Sequence, residues 1–403
     1  MKERYYFIDW LRIIAIILVL FFHVGMIFCK EWGWHIKNNQ TSYLWLEFNF
    51  WLSRFRMPLL FFISGAGCFW ALRKRSFWTF IKERFNRLII PFIFATLVVV
   101  PPQIFFDRVF DDNYTGSFFQ FYPSIFTTSF YPEGNFHWFH MWFVLYLFAY
   151  SLMLVPVLWW TRKANVLNRL KKLKWLNSLK GVFIMIFSTV VLYVFWTSRF
   201  PQRHELINDW GYLPYWMSFF LVGYFMSSTG KFWEVLERNR KVLLKLAILS
   251  IVIYNYLRWN KMEPYMLYGD QWDEHLFSYF YLCLTPANAW FWLLAVVGYG
   301  KKYLNRNHPV LSYANRGIYP FYILHQTIII CIGYYIVNLE ESILAKYFFV
   351  SIISFVMTVV VYDFFIRPFR IFRFLFGVKE LKKEVPSAKK NGESIEIEKN
   401  WKK

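Results

Sequence analysis

Eight ionisable side chains fall inside stretches otherwise apolar enough to sit in lipid: Arg12, His23, Arg54, Arg56, Lys245, His325, Lys346 and Asp363. A charged or titratable group in hydrocarbon is costly, so each marks a place where function or an internal partner compensates. An imidazole can take up or release a proton near neutrality and can itself carry an acyl group. A guanidinium binds phosphate or steadies a developing oxyanion. Arg12 and His23 stand eleven residues apart, which on an ideal helix is about three turns, so they share a face with roughly 16 Å between them. Asp9, three residues before Arg12, can pair with it. Taken alone, an intramembrane histidine reads as a hydrogen-bonded structural residue before it reads as a catalyst. Lys245 and Lys346 lie near span ends and are expected to snorkel to the interface.

Two further groups sit near the same layers. Arg54 and Arg56 point about 200° apart on a helix, so at most one of them can face a cavity shared with His23. The run from Asn135 to Phe143 puts His140 and Trp142 at the outer start of a span, where an interfacial aromatic belt would account for them equally well. Arg84 and Arg87 lie three residues apart, on one helix face, ahead of Pro91. Such a pair suits a phosphate, and it also fits the basic flank that many spans carry. Cys29, Cys68, Cys283 and Cys331 are scattered with no metal-ligand or redox spacing, so they read as small apolar residues, and no metal site is expected.

The elements that must position these groups are set by composition. Of 403 residues, 57% are hydrophobic and 24% aromatic, which points to lipid as the solvent and to an all-α polytopic membrane protein. Apolar windows of spanning length fall near 10 to 28, 50 to 72, 88 to 106, 138 to 160, 181 to 199, 211 to 229, 242 to 258, 275 to 299, 317 to 338 and 342 to 366, about ten transmembrane helices. About 34 of the 46 lysines and arginines lie in the termini and the even-numbered connections. The positive-inside preference therefore predicts that both termini are cytoplasmic. That distribution also explains the net charge of +21 without a nucleic-acid partner, for which no basic soluble module can be delimited. The first window carries Asp9 and Arg12 and no small-residue cleavage site before Lys30, so it is expected to be retained. Residues 1–370 read as one transmembrane domain, and 371–403 as a basic, disordered cytoplasmic tail against membrane lipid.

The ordered motifs resemble the acyltransferase 3 family of bacterial envelope proteins. Arg12 to His23, within Tyr6-Phe7-Ile8-Asp9-Trp10-Leu11-Arg12, matches the family's arginine, ten residues, histidine element. Phe55-Arg56-Met57-Pro58 leads into Phe61-Phe62-Ile63-Ser64-Gly65. Arg84-Phe85-Asn86-Arg87 with Pro91, His140-Met141-Trp142-Phe143 and Tyr319-Pro320-Phe321-Tyr322-Ile323-Leu324-His325 follow in order. Within the family, the first three spans and Tyr362-Asp363-Phe364-Phe365-Ile366-Arg367-Pro368 resemble the branch that succinylates periplasmic glucans. The chain departs at Gln326-Thr327, where many relatives place proline two residues after the histidine.

The resemblance implies transfer of an acyl group from cytoplasmic acyl-CoA to a hydroxyl of an extracytoplasmic acceptor, a carbohydrate or glycan, by a plasma (inner) membrane enzyme. It implies His23 as general base or acyl carrier, with Arg12 and Asp9 on the donor side and Arg84 and Arg87 on the acyl-CoA phosphates. Arg56, His140, Trp142 and His325 are expected near the acceptor or the oxyanion. A secondary transporter that uses the same groups as an anion or proton path is the alternative from another class.

Overall fold

The computed structural model describes residues 4–72, 76–163, 172, 177–200, 206 and 208–379. Ten helices answer to the ten windows: α1 (Tyr6–Phe28), α2 (Tyr43–Leu72), α3 (Phe77–Asp111), α4 (Trp142–Lys163), α5 (Leu179–Thr197), α6 (Tyr212–Met226), α7 (Lys231–Trp259), α8 (Leu276–Leu304), α9 (Pro309–Ile336) and α10 (Ile343–Ile366). Among the described residues nine spans are long and apolar enough to cross a membrane, and the only β pairings are two isolated bridges. The protein is an all-α polytopic membrane protein.

α6 is the one that falls short. Its 15 residues rise about 22 Å at 1.5 Å each, less than the ~30 Å hydrocarbon core. The hydroxyls of Ser227, Ser228 and Thr229 donate to the carbonyls of Gly223, Phe225 and Met226. Those bonds satisfy the last turn and stop the helix before Gly230, whose φ is +68°. α6 lies tightly along α2. A Cβ on Gly65 would stand 1.9 Å from the Phe220 carbonyl oxygen, and one on Gly223 would stand 2.0 Å from that of Phe62. Small residues let helix backbones approach this closely in lipid, where packing rather than water exclusion drives association.

The two ends of the bundle are distinct. Where α1 begins, hereafter the start face, Tyr5 packs on Trp70 and Trp233 at ring distances of 5.7 and 6.2 Å, and Trp10 donates to the Arg306 carbonyl. Several helices run past their apolar windows here in polar turns, Phe77–Arg84 being one. Where α1 ends, the exit face, Arg258 of α7 pairs with Glu47 of α2. Lys346 is a correction to the snorkelling expectation: it is buried and donates to Asn38 Oδ1 and the Val337 carbonyl, each at 2.9 Å. An amide and a carbonyl close at hand solvate the ammonium inside the protein.

α3 is interrupted for a reason visible in its sequence. Pro101 and Pro102 lack the N–H groups that would bond back to Leu97 and Val98, and the helix widens into π geometry at Ala95–Val99. The Gln103 N–H bonds to Val100, so the Val99 carbonyl is left free as well. Tyr122 donates to Leu97 at 2.9 Å, and Thr327 of α9 donates to Val99 at 2.6 Å. The broken helix is thereby tied to the helix that carries His325. Beyond residue 370 the chain stays on the bundle: Phe376 is buried against Phe94, and the Gly377 carbonyl accepts from Arg87. Residues 380–403, most of the expected tail, lie outside the described residues.

Candidate active site

His23 of α1 and His325 of α9 meet in the bundle, Nδ1 to Nε2 at 2.9 Å. Their tautomers follow from their neighbours. A carbonyl only accepts, so the bond of 2.5 Å between His325 Nδ1 and the Tyr322 carbonyl makes His325 Nδ1 the protonated nitrogen. In a neutral ring its Nε2 is then a lone pair, and His23 Nδ1 must supply the proton between the rings. His23 Nε2 is left as an acceptor that makes no hydrogen bond among the described residues. The Trp34 ring stacks near-parallel to His23 at 6.1 Å and fixes the plane of the imidazole.

His140 is fixed by the same logic. Its Nε2 donates to the Ile323 carbonyl at 3.0 Å, and its own carbonyl accepts from the Tyr322 hydroxyl. Its Nδ1 is buried with no partner among the described residues. Its ring stands 5.3 Å from that of His325.

Arg56 and Arg54 part company as the 200° spacing requires. The Arg56 guanidinium lies 3.2 Å from the Phe22 ring centroid, beside His23, and its Nε and Nη1 are buried without a hydrogen-bond partner. Arg54 turns toward Phe50 and Tyr254. A guanidinium with free N–H groups next to an imidazole lone pair suits a hydroxyl that gives its proton to the imidazole while the guanidinium faces the negative charge that develops on oxygen. Trp142, two residues after His140, packs on Phe61, Tyr146 and Trp216.

At the start face Arg12 pairs with Asp9 at 3.4 Å, and Asp9 is also held by Arg4 at 2.9 Å. Arg84 lies close enough to both Arg12 and Arg87 to repel them. It stacks on Phe80 and donates to Cys68 Sγ. Arg87 is steadied by Glu83 and the Gly377 carbonyl. Arg12, Arg84 and Arg87 thus form one basic cluster, about three turns from the imidazoles.

The sequence reading omitted His35. The segment between α1 and α2 folds back into the exit face, anchored by Lys37, whose ammonium donates to the carbonyls of Met26, Cys29 and Trp32 and so caps the end of α1. This sets His35 Nδ1 2.9 Å from Asp107 Oδ1 of α3, both side chains buried. Tyr131 donates to the same carboxylate oxygen. Burial, reinforced by Asp107, pushes the Tyr131 phenol up to about 12, so it stays a donor. Gln326 Nε2 reaches His35 Nε2 at 3.4 Å and Gln103 Oε1 at 3.1 Å, and Gln103 goes on to Thr327. The departure at Gln326-Thr327 is therefore a polar network joining α3, α9 and the folded-back segment. No periodicity marks His35, because it sits in a polar connection. A signal did exist in Asp107, a carboxylate at the end of an apolar window.

Among the described residues no group of three His, Cys, Asp or Glu side chains is arranged to hold a metal ion. A groove of about 490 Å³ between α5 and α8 shares no residue with the histidine cluster.

A family model described as acyltransferase domain, acyltransferase 3, matches residues 5–365. Among curated proteins, the glucans biosynthesis proteins C of Escherichia coli K12 and of Shigella dysenteriae serotype 1 are each 31% identical over 102 residues. Those matches cover 25% of this chain and 26% of each relative, so the aligned part spans about a quarter of either protein. No solved structure matches significantly.

Proposed function

The chain belongs to the acyltransferase 3 family, and from that membership we propose that it transfers an acyl group from cytoplasmic acyl-CoA to a hydroxyl of an extracytoplasmic carbohydrate or glycan. In this reading the start face and both termini are cytoplasmic, the exit face is extracytoplasmic, and the membrane is the plasma (inner) membrane. Residues 1–370 form the catalytic domain and 371–403 a cytoplasmic tail. The observation that carries the proposal is the ordered pair of imidazoles, which leaves His23 Nε2 as an unbonded base beside the free N–H groups of Arg56.

The acyl-CoA phosphates rest on Arg84 and Arg87, with Arg12 ordered by Asp9 beside them, and the thioester reaches inward along α1. The acceptor enters from the exit face past Trp34 and the His35–Asp107 pair. His23 Nε2 takes the hydroxyl proton as the acceptor oxygen bonds to the thioester carbon. Arg56 donates to the oxyanion, and His140 and Trp142 belong to the acceptor side. The C–S bond then breaks, and the proton on His23 passes to the departing sulfur. His325 is a positioning residue in this scheme, holding the His23 tautomer. Chemically labelled acyl-CoA supplied to the inner side of sealed vesicles tests the reading. Label should appear on an outer hydroxyl acceptor, and export of an intact solute without transfer would identify a transporter instead.

A further inference from the structure

Arg54 is the intramembrane arginine that the histidine site leaves unused. Its guanidinium carbon lies 4.3 Å from the Phe50 ring centroid and 5.5 Å from that of Tyr254. Its Nε and Nη2 donate to the hydroxyl of the adjacent Ser53 at 3.1 and 3.0 Å. No carboxylate pairs with it among the described residues. Arg258, which stacks on the same Phe50 ring at 4.0 Å, is by contrast neutralised by Glu47. The Tyr254 ring of α7 stacks on Arg54, and phenols from three further helices lie near it. The hydroxyls of Tyr193 of α5 and Tyr212 of α6 are 3.1 Å apart. The Tyr254 hydroxyl of α7 bonds Thr285 at 3.0 Å, and Tyr281 of α8 packs on Tyr254 at 5.1 Å. Tyr193, Tyr212 and Tyr281 all lie within the electrostatic reach of Arg54.

A cation left in the membrane without an anion is costly, and stacking on rings recovers only part of that cost. A guanidinium framed by hydroxyl donors is what a phosphate needs. The same two helices, α5 and α8, bound the groove of about 490 Å³, lined by Phe187, Val190, Val194 and Cys283, with Arg199 and Asp273 also in its lining. The lining suits an acyl chain; Asp273 offsets Arg199 there, so Arg54, with no carboxylate beside it, is the charge that complements an anionic headgroup.

We propose that Arg54 and its ring of tyrosine hydroxyls form a second binding site, separate from the histidine cluster, for the phosphate of an anionic phospholipid whose acyl chain lies in the α5/α8 groove. The purified full chain in neutral detergent, titrated with phosphatidylglycerol or phosphatidylcholine and read by native mass spectrometry, tests it without reference to acyl transfer. The wild type should bind phosphatidylglycerol about tenfold or more tightly over phosphatidylcholine, as one charge-assisted contact confers. Arg54→Gln should bring that preference to within about twofold, and Arg54→Lys should keep most of it. Should Arg54→Gln fail to fold, Tyr193→Phe with Tyr212→Phe keeps the packing and should still reduce the preference. An unchanged preference in Arg54→Gln, or in the double tyrosine variant, overturns the site. Inorganic phosphate that protects the lipid-free wild type against unfolding but not Arg54→Gln, with no preference between the two lipids, assigns the site to a soluble anion and overturns the lipid reading.

Discussion

Replacing His325 by alanine should slow acyl transfer while leaving His23 in place. His325 is fully buried and accepts the His23 Nδ1 proton at 2.9 Å while its own Nδ1 donates to Tyr322. Without it, the His23 N–H loses its partner and the ring no longer has one enforced tautomer. A buried donor left unsatisfied costs about 1–3 kcal/mol, which, if lost from the transition state alone, is about a 5- to 150-fold fall in rate. His325→Gln retains an amide oxygen able to accept the same bond, so it should recover most of the loss. The assay is turnover of labelled acyl-CoA by purified protein at equal folded concentration, with donor affinity measured separately. Donor affinity should hold within about twofold in both variants. An alanine variant with wild-type turnover, or a glutamine variant no better than alanine, would refute the tautomer argument.

Gly223→Val places a Cβ about where the Phe62 carbonyl oxygen stands, 2.0 Å away. It should destabilise the protein by at least the ~1–3 kcal/mol of an overpacked core, read as a lower midpoint of thermal unfolding in detergent. Arg84→Ala combined with Arg87→Ala should weaken acyl-CoA binding about tenfold or more, since each charge-assisted bond contributes about 1.5–3 kcal/mol. Unchanged affinity by equilibrium binding would return both arginines to the role of flanking charge. A reporter fused after Lys403 should be cytoplasmic and one inserted between Asp107 and Tyr131 external; the reverse pattern in a protease-accessibility assay would overturn the topology.

The spans and the Arg12 to His23 spacing were legible because both depend on local periodicity. Helix ends were less so: Phe77–Arg84 continues α3 in residues too polar to raise an apolar window, and α6 ends early on serine and threonine hydroxyls that hydropathy counts only as mildly polar. The pairing of His23 with His325 could not be read at all, since 302 residues separate them and only packing of α1 on α9 joins them. His35 was invisible for a related reason. A polar connection gives no sign that it folds back until its lysine is seen capping α1. Lys346 was misjudged because nearness to a span end says nothing of the Asn38 amide and Val337 carbonyl waiting there. The opposite headings of Arg54 and Arg56, in contrast, followed directly from helical geometry.

The central claim is that His23 performs the proton transfer, and His23→Ala tests it most directly. General base catalysis supplies about 100- to 10,000-fold in rate, and alanine is tolerated in lipid, so acyl transfer should fall by at least about 100-fold with the protein still inserted and still binding acyl-CoA. A rate within about tenfold of wild type at equal protein level would contradict the account.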